Sequence, residues 1–277
     1  LNIRALKITI LSNIGRSEME FRKSIITKYI LSCFLLFFTH SAFARVFDFK
    51  NERFASLFRT STGPSTLLQK PFADGSGSGL TFDGTIKLNN TYGFGFVYAT
   101  PVMNLILGLD AFKSEIKNNI SATDASGVKM YRLASDLSGY IPKIGLEFNL
   151  KTWSDSKFYI VVSGGSAVMT LQNTYQFTTE GLAAYSGMAD YKEEAKGTAS
   201  LYENEIGYEK LLSDSTTMVF AAGYRQFNIQ NFKHNLAVTT FNGAVVKGDE
   251  LKNTDGTNRT LDLSGYFAAI AFRFYIY

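Results

Sequence analysis

From residue 79 onward the chain alternates apolar residues with polar or small ones in runs of roughly ten, the length of a tilted strand crossing a bilayer. In "GLTFDGTIKL" (79–88), Leu80, Phe82, Ile86 and Leu88 share one face, opposite Thr81, Asp83, Thr85 and Lys87. "TYGFGFVYA" (91–99) sets Tyr92, Phe94, Phe96 and Tyr98 against Gly93, Gly95 and Val97. The pattern returns at 102–112, 143–151, 157–171, 201–210 and 217–227. In the last run, 264–277, Tyr266, Ile270, Phe272, Phe274 and Ile276 oppose Gly265, Ala269, Ala271 and Arg273.

These runs predict an all-β chain with eight strands. Three connections are short, at Thr100-Pro101, 152–156 and 211–215. The intervening ones, 113–133, 172–198 and 228–259, are long and polar. Alternation of short turns with long loops predicts an antiparallel transmembrane β-barrel with its long loops outside. The first pair departs from it, with only Asn89-Asn90 between its strands. Asn242-Gly243 suits a type I′ turn, read as a hairpin above the membrane; counting it into the barrel gives the alternative of ten strands.

A soluble barrel alternates too, with its apolar face inward, so the other face has to decide. It collects Asp83, Lys87, Asp110, Lys143, Glu147, Glu203, Glu205, Glu209, Arg225 and Arg273, interspersed with glycine and alanine. An eight-stranded barrel has an interior just wide enough for side chains. Charges of both signs therefore pair across the lumen, with small residues leaving room for them, and Glu203, Glu205 and Glu209 are the expected partners of Arg225 and Arg273. The apolar face then meets lipid. Tyr92, Tyr98, Trp153, Tyr202 and Tyr208 lie near strand ends, where aromatic girdles settle at the interface.

Residues before 79 read differently. From Met19, "MEFRKSIITKYILSCFLLFFTHSAFA" has a positive start, an apolar run shorter than a membrane span, and Ala42-Phe43-Ala44 as a cleavage site. This predicts Sec-type export with cleavage near Ala44, residues 1–18 being an upstream extension. Cys33 is the chain's one cysteine and falls in the leader, so no disulfide is expected. Residues 1–44 hold six Lys/Arg and two acids; removing them from 28 and 24 leaves 22 of each sign. That balance excludes a basic footprint for nucleic acid. Residues 45–75 do not alternate cleanly and read as a periplasmic or lumen segment or an extra strand, ahead of a barrel over 76–277.

A leader, eight alternating strands and an aromatic last strand resemble the small outer-membrane barrels of the OmpA/OmpX type, at the level of architecture. The resemblance implies the outer membrane of a Gram-negative bacterium, contact with its lipid and lipopolysaccharide, and a last strand read by the barrel-assembly machinery. On this chain that signal falls on Gly265, Phe272, Phe274 and Tyr277, with Tyr277 one register off the apolar positions.

The expected function is structural and surface-interacting, through long loops that meet an extracellular partner the sequence does not identify. The alternatives are a narrow porin-like channel and a lipid-modifying enzyme or protease. An enzyme needs a base beside a nucleophile or carboxylate; the one histidine beyond the leader, His234, is read as a solvated loop residue. No metal-ligand spacing and no cofactor motif appears. "GSGSG" (75–79) precedes a strand, so it lacks the helix start that binds phosphate.

Overall fold

The computed structural model describes Phe49 and residues 53–64, 79–84, 88–100, 102–115, 120–253 and 256–276. The leader, Lys87 and Tyr277 lie outside the described residues. In chain order the strands are β1 (Phe54–Pro64), β2 (Thr81–Phe82), β3 (Leu88–Tyr98), β4 (Met103–Glu115), β5 (Ile120–Thr123), β6 (Lys129–Thr152) and β7 (Ser156–Phe177). A six-residue helix α1 (Thr179–Ala184) follows. Then come β8 (Tyr191–Ser213), β9 (Thr216–His234), β10 (Val238–Thr240), β11 (Gly243–Val245), β12 (Leu261–Asp262) and β13 (Gly265–Ile276).

Eight strands close into a ring in the order β1, β3, β4, β6, β7, β8, β9, β13, with β13 pairing back onto β1. Every pair is antiparallel. The eight-strand count therefore holds, but its first member changes. Residues 54–64 lie between β13 and β3, with Phe54 opposite both Ile276 and Tyr98. Of the predicted strand 79–88, Thr81–Phe82 pairs with β5 rather than a barrel strand, Leu88 opens β3, and 85–87 lie outside the described residues. Asn89 and Asn90 sit inside β3, not in a turn. The misreading has a physical cause: β1 turns Phe54, Ser56, Phe58, Thr60 and Thr62 outward, a face too polar to alternate clearly.

The three short turns gather at one end, with Phe54 and Ile276. Hydrogen bonds from Ala99 N to Arg53 O at 2.7 Å and from Tyr275 N to Ser215 O at 2.8 Å stitch that end together. Outward side chains form an apolar belt above it. On β6 the belt runs from Tyr140 through Ile144, Leu146 and Phe148 to Leu150, all exposed. Ten residue steps along a tilted strand rise about 25 Å, the height of a lipid-facing band. Tyr92, Tyr140, Tyr202, Tyr224 and Tyr266 rim its far edge, and Tyr98, Trp153 and Tyr208 its near one. Phe272, Phe274 and Ile276 belong to the belt, while Arg273 and Tyr275 point inward. Among the described residues no helix is long and apolar enough to cross a membrane; the strands cross instead.

Strands β6 to β9 do not stop at the rim. Much of the expected loops 113–133 and 172–198, and the start of 228–259, is strand, because all four continue about ten residues further, each step gaining roughly 3.3 Å. Beyond the rim the outward face becomes polar, with Arg132, Asp136, Lys192 and Lys196, while Leu133, Leu171, Ala195 and Ile229 face in. This extension is a head with its own core. Phe241 closes it, lying 5.2 to 6.1 Å from the rings of Tyr131, Tyr175, Phe177, Tyr185 and Tyr191. Phe241 gets there as the tip of the β10–β11 hairpin, where Thr240 pairs with Gly243. The hairpin is off the barrel sheet, as expected, but its central residues are Phe241 and Asn242; Gly243 takes the positive φ, +99°.

Candidate functional site

Strand alternation carries ten described charged side chains into the membrane-level lumen, where they sort into two layers. The layer near the short turns holds Glu147, Lys157, Glu209 and Arg273, two of each sign. Lys157 Nζ lies 2.8 Å from Glu147 Oε1 and 3.1 Å from Glu209 Oε2. Arg273 Nη1 donates to Glu147 Oε1 at 3.1 Å and to Glu209 Oε2 at 2.8 Å, and Nη2 pairs with Glu147 Oε2. Asn104 Nδ2 donates to Glu147 at 2.6 Å, and Thr217 and Tyr275 hydroxyls donate to Glu209 at 2.5 and 2.8 Å. The Tyr159 ring lies under the Arg273 guanidinium at 5.2 Å. Gly207 makes this possible: a Cβ there would stand 2.2 Å from the Tyr159 ring.

The second layer holds Arg59, Asp110, Lys143, Glu203, Glu205 and Arg225, three of each sign. Lys143 Nζ bridges Asp110 at 2.6 Å and Glu203 at 3.1 Å. Arg225 Nε meets Glu203 at 2.6 Å, and its Nη2 donates to Ser61 at 3.1 Å. Arg59 Nη2 lies 2.6 Å from Glu205. The Phe267 ring sits beneath both guanidinium groups, at 5.3 Å from Arg59 and 5.0 Å from Arg225.

Between the layers, Leu57, Ile106, Val161, Val219 and Ala271 face one another. The space left there is about 20 Å³, room for roughly one water molecule. Above the second layer the interior is apolar, built from Phe112, Ile141, Met169, Leu201 and Phe227. The lumen is thus filled from end to end by paired charge, an apolar gasket, paired charge and an apolar core.

Eight of the ten charges assigned to the lumen from sequence fall in these two layers. Asp83 does not: it is exposed beyond the belt, and its carboxylate accepts from Ser121 N at 2.8 Å. The predicted strand carrying it is not in the barrel, so its parity meant nothing. Lys87 lies outside the described residues. Arg59 and Lys157 were missed. Arg59 lay in a segment left outside the eight strands, read as a periplasmic or lumen segment or an extra strand. Lys157 shares its parity with Tyr159, Val161 and Ser163, so a stricter count along 157–163 places it inward.

His234 is not a solvated loop residue. It ends β9, is buried, and has no hydrogen-bond partner at Nδ1 among the described residues. Burial pushes its pKa below the ordinary value, against the opposing pull of Glu193 and Asp249. Among the described residues no group of three or more His, Cys, Asp or Glu could hold a metal ion.

No protein-family model matches the chain, and no curated protein does. Solved structures similar to it include the outer membrane protein OprG from Pseudomonas aeruginosa, at 13% identity and TM-score 0.44, covering 83% of this chain and 99% of that one. Neisserial surface protein A matches at 10% identity and TM-score 0.38, covering 80% and 97%. Ail, the attachment invasion locus protein of Yersinia pestis, matches at 10% identity and TM-score 0.35, covering 81% and 99%. The chain is a transmembrane β-barrel of eight strands. At these identities its architecture is read from the closed ring and the apolar belt themselves.

Proposed function

We propose that this chain is a non-conducting, non-enzymatic barrel of a Gram-negative outer membrane that holds a folded head above the bilayer for surface interaction. One observation carries the reading: β6 to β9 run well past the apolar belt and enclose a second core beneath a polar outer face. A barrel that served only as a plug in the membrane would need nothing beyond its rim. Outer-leaflet lipid and lipopolysaccharide are the neighbours of the belt, and the head meets an extracellular partner. The strand holding Gly265, Phe272 and Phe274, together with Tyr277, is the surface offered to the assembly machinery during insertion.

The test uses the exposed hairpin end. A Lys247→Cys variant, expressed in a Gram-negative host, is treated in intact cells with a membrane-impermeant maleimide. Labelling without lysis is the expected result. Labelling only after the outer membrane is opened contradicts the outward placement of the head.

A further inference from the structure

The head contains a cavity of about 310 Å³ between the far ends of β7, β8 and β9 and the segment after β11. That lies at the lower end of the ~300–1,000 Å³ typical of small-molecule sites. Tyr175 and Tyr191, stacked with ring centroids 4.4 Å apart, form one part of the wall, and Phe241 another. Glu193 and Arg259, both buried, form a polar part, 3.8 Å apart at their closest charged atoms. His234 completes it, 4% exposed and with Nδ1 unpartnered among the described residues. A buried polar atom left without a partner is rare in folded proteins, so His234 Nδ1 marks a place where a ligand group or a water would bond.

The chemistry of the wall narrows the occupant. Of the charged residues lining the cavity, Glu193 and Arg259 are buried, while Asp249, Glu250 and Lys252 are exposed; the buried carboxylate disfavours phosphate or sulfate. A cation would have to displace Arg259 from Glu193. A purely apolar ligand would leave His234 Nδ1 and the charged atoms dry. A ring of hydroxyls meets each requirement: hydroxyls donate to carboxylates, accept from guanidinium, and do either at an imidazole nitrogen. Its C–H face can lie against aromatic rings. We infer that the head cavity is a saccharide-binding site. The inference deepens the surface reading above and rests on it for access from outside the cell.

The whole barrel in detergent micelles is mixed with methyl glycosides of glucose, galactose, mannose and N-acetylglucosamine, and separately with lipid-free core oligosaccharide of lipopolysaccharide. Saturation-transfer NMR reads contact with sugar ring protons, and the ¹⁵N resonances of His234 report on its imidazole. The expected result is transfer to at least one sugar and a shift at His234. Binding of core oligosaccharide alone places the source on the bacterial surface; binding of simple glycosides admits free or foreign glycans. Glu193→Gln, which keeps the side-chain shape, and Asn242→Ala, which removes an amide from the hairpin residue lining the cavity, should each weaken binding at least tenfold while the heat-dependent gel shift persists.

No transfer to any sugar, or preferred binding of inorganic phosphate or tetramethylammonium over every sugar, overturns the inference. So does sugar binding that both variants leave unchanged. Binding in micelles does not depend on which way the head faces, whereas thiol labelling does. Failure of one test is therefore distinguishable from failure of the other.

Discussion

Arg273 and Glu147 are 126 positions apart in sequence, yet Arg273 Nη1 donates to Glu147 Oε1 at 3.1 Å. Their strands, β13 and β6, stand opposite one another in the eight-strand ring, so this pair spans the lumen. Both side chains are almost wholly removed from solvent. A guanidinium in that setting is compensated only by carboxylates held in place by further donors, and Asn104, Thr217 and Tyr275 supply them.

Replacing Arg273 with Met should leave Glu147 and Glu209 facing one another with Lys157 as their remaining cation. Breaking one side of a buried ion pair costs about 3–5 kcal/mol. The temperature at which the folded band disappears on SDS gels should drop sharply. Adding Glu147→Gln should recover part of the loss, since fewer unpaired charges remain buried. A variant as resistant as the parent would show that the network contributes no stability.

Gly207 answers to Tyr159 in the same way. Gly207→Ala places a methyl 2.2 Å from that ring, an overpacking that costs about 1–3 kcal/mol. Tyr159→Leu in the same chain should relieve most of the penalty. Urea-unfolding midpoints of the two single variants and the double variant measure the coupling.

His234 makes the head sensitive to acid. Burial holds its folded pKa below the ordinary value, so the unfolded head binds more protons and stability rises with pH. The contribution is present above about pH 6.5, the unfolded value, and is lost as pH falls toward the folded one. The protection of the His234 amide, bonded to Asp249 O, and of the Leu251 amide, bonded to Phe232 O, taken against the intrinsic exchange rate at each pH, should fall between pH 7 and 5. His234→Gln should flatten that dependence.

Trp153 is the chain's one tryptophan and sits exposed at the short-turn edge of the belt. Its fluorescence in vesicles should be quenched more by lipids brominated near the headgroup than by those brominated near the tail end. The reverse order would move the belt off its assigned height.

Much of this was legible in the sequence. Strict period-two runs such as Phe94–Tyr98 and Gly265–Ile276 found most membrane strands, and charge on their other face found most of the lumen. Sequence failed where both faces of a strand have mixed character. In β1, Thr60 faces outward while Leu57 and Arg59 face inward, so neither face looks like lipid or lumen. It failed again above the rim, where the rule inverts: Arg132 faces out and Leu133 faces in, as in a soluble sheet. Read against the membrane rule, those residues are noise, and the extended hairpins pass for loops. Nothing local marks Phe241 as the hub of five rings, since its neighbours come from distant strands.

The central claim is that paired side chains close the lumen, with about 20 Å³ left between the two charged layers. Conductance across a planar bilayer holding the purified, correctly folded barrel tests it most directly. The account predicts a current indistinguishable from that of the bare bilayer. Reproducible single-channel steps from the unmodified protein would contradict it.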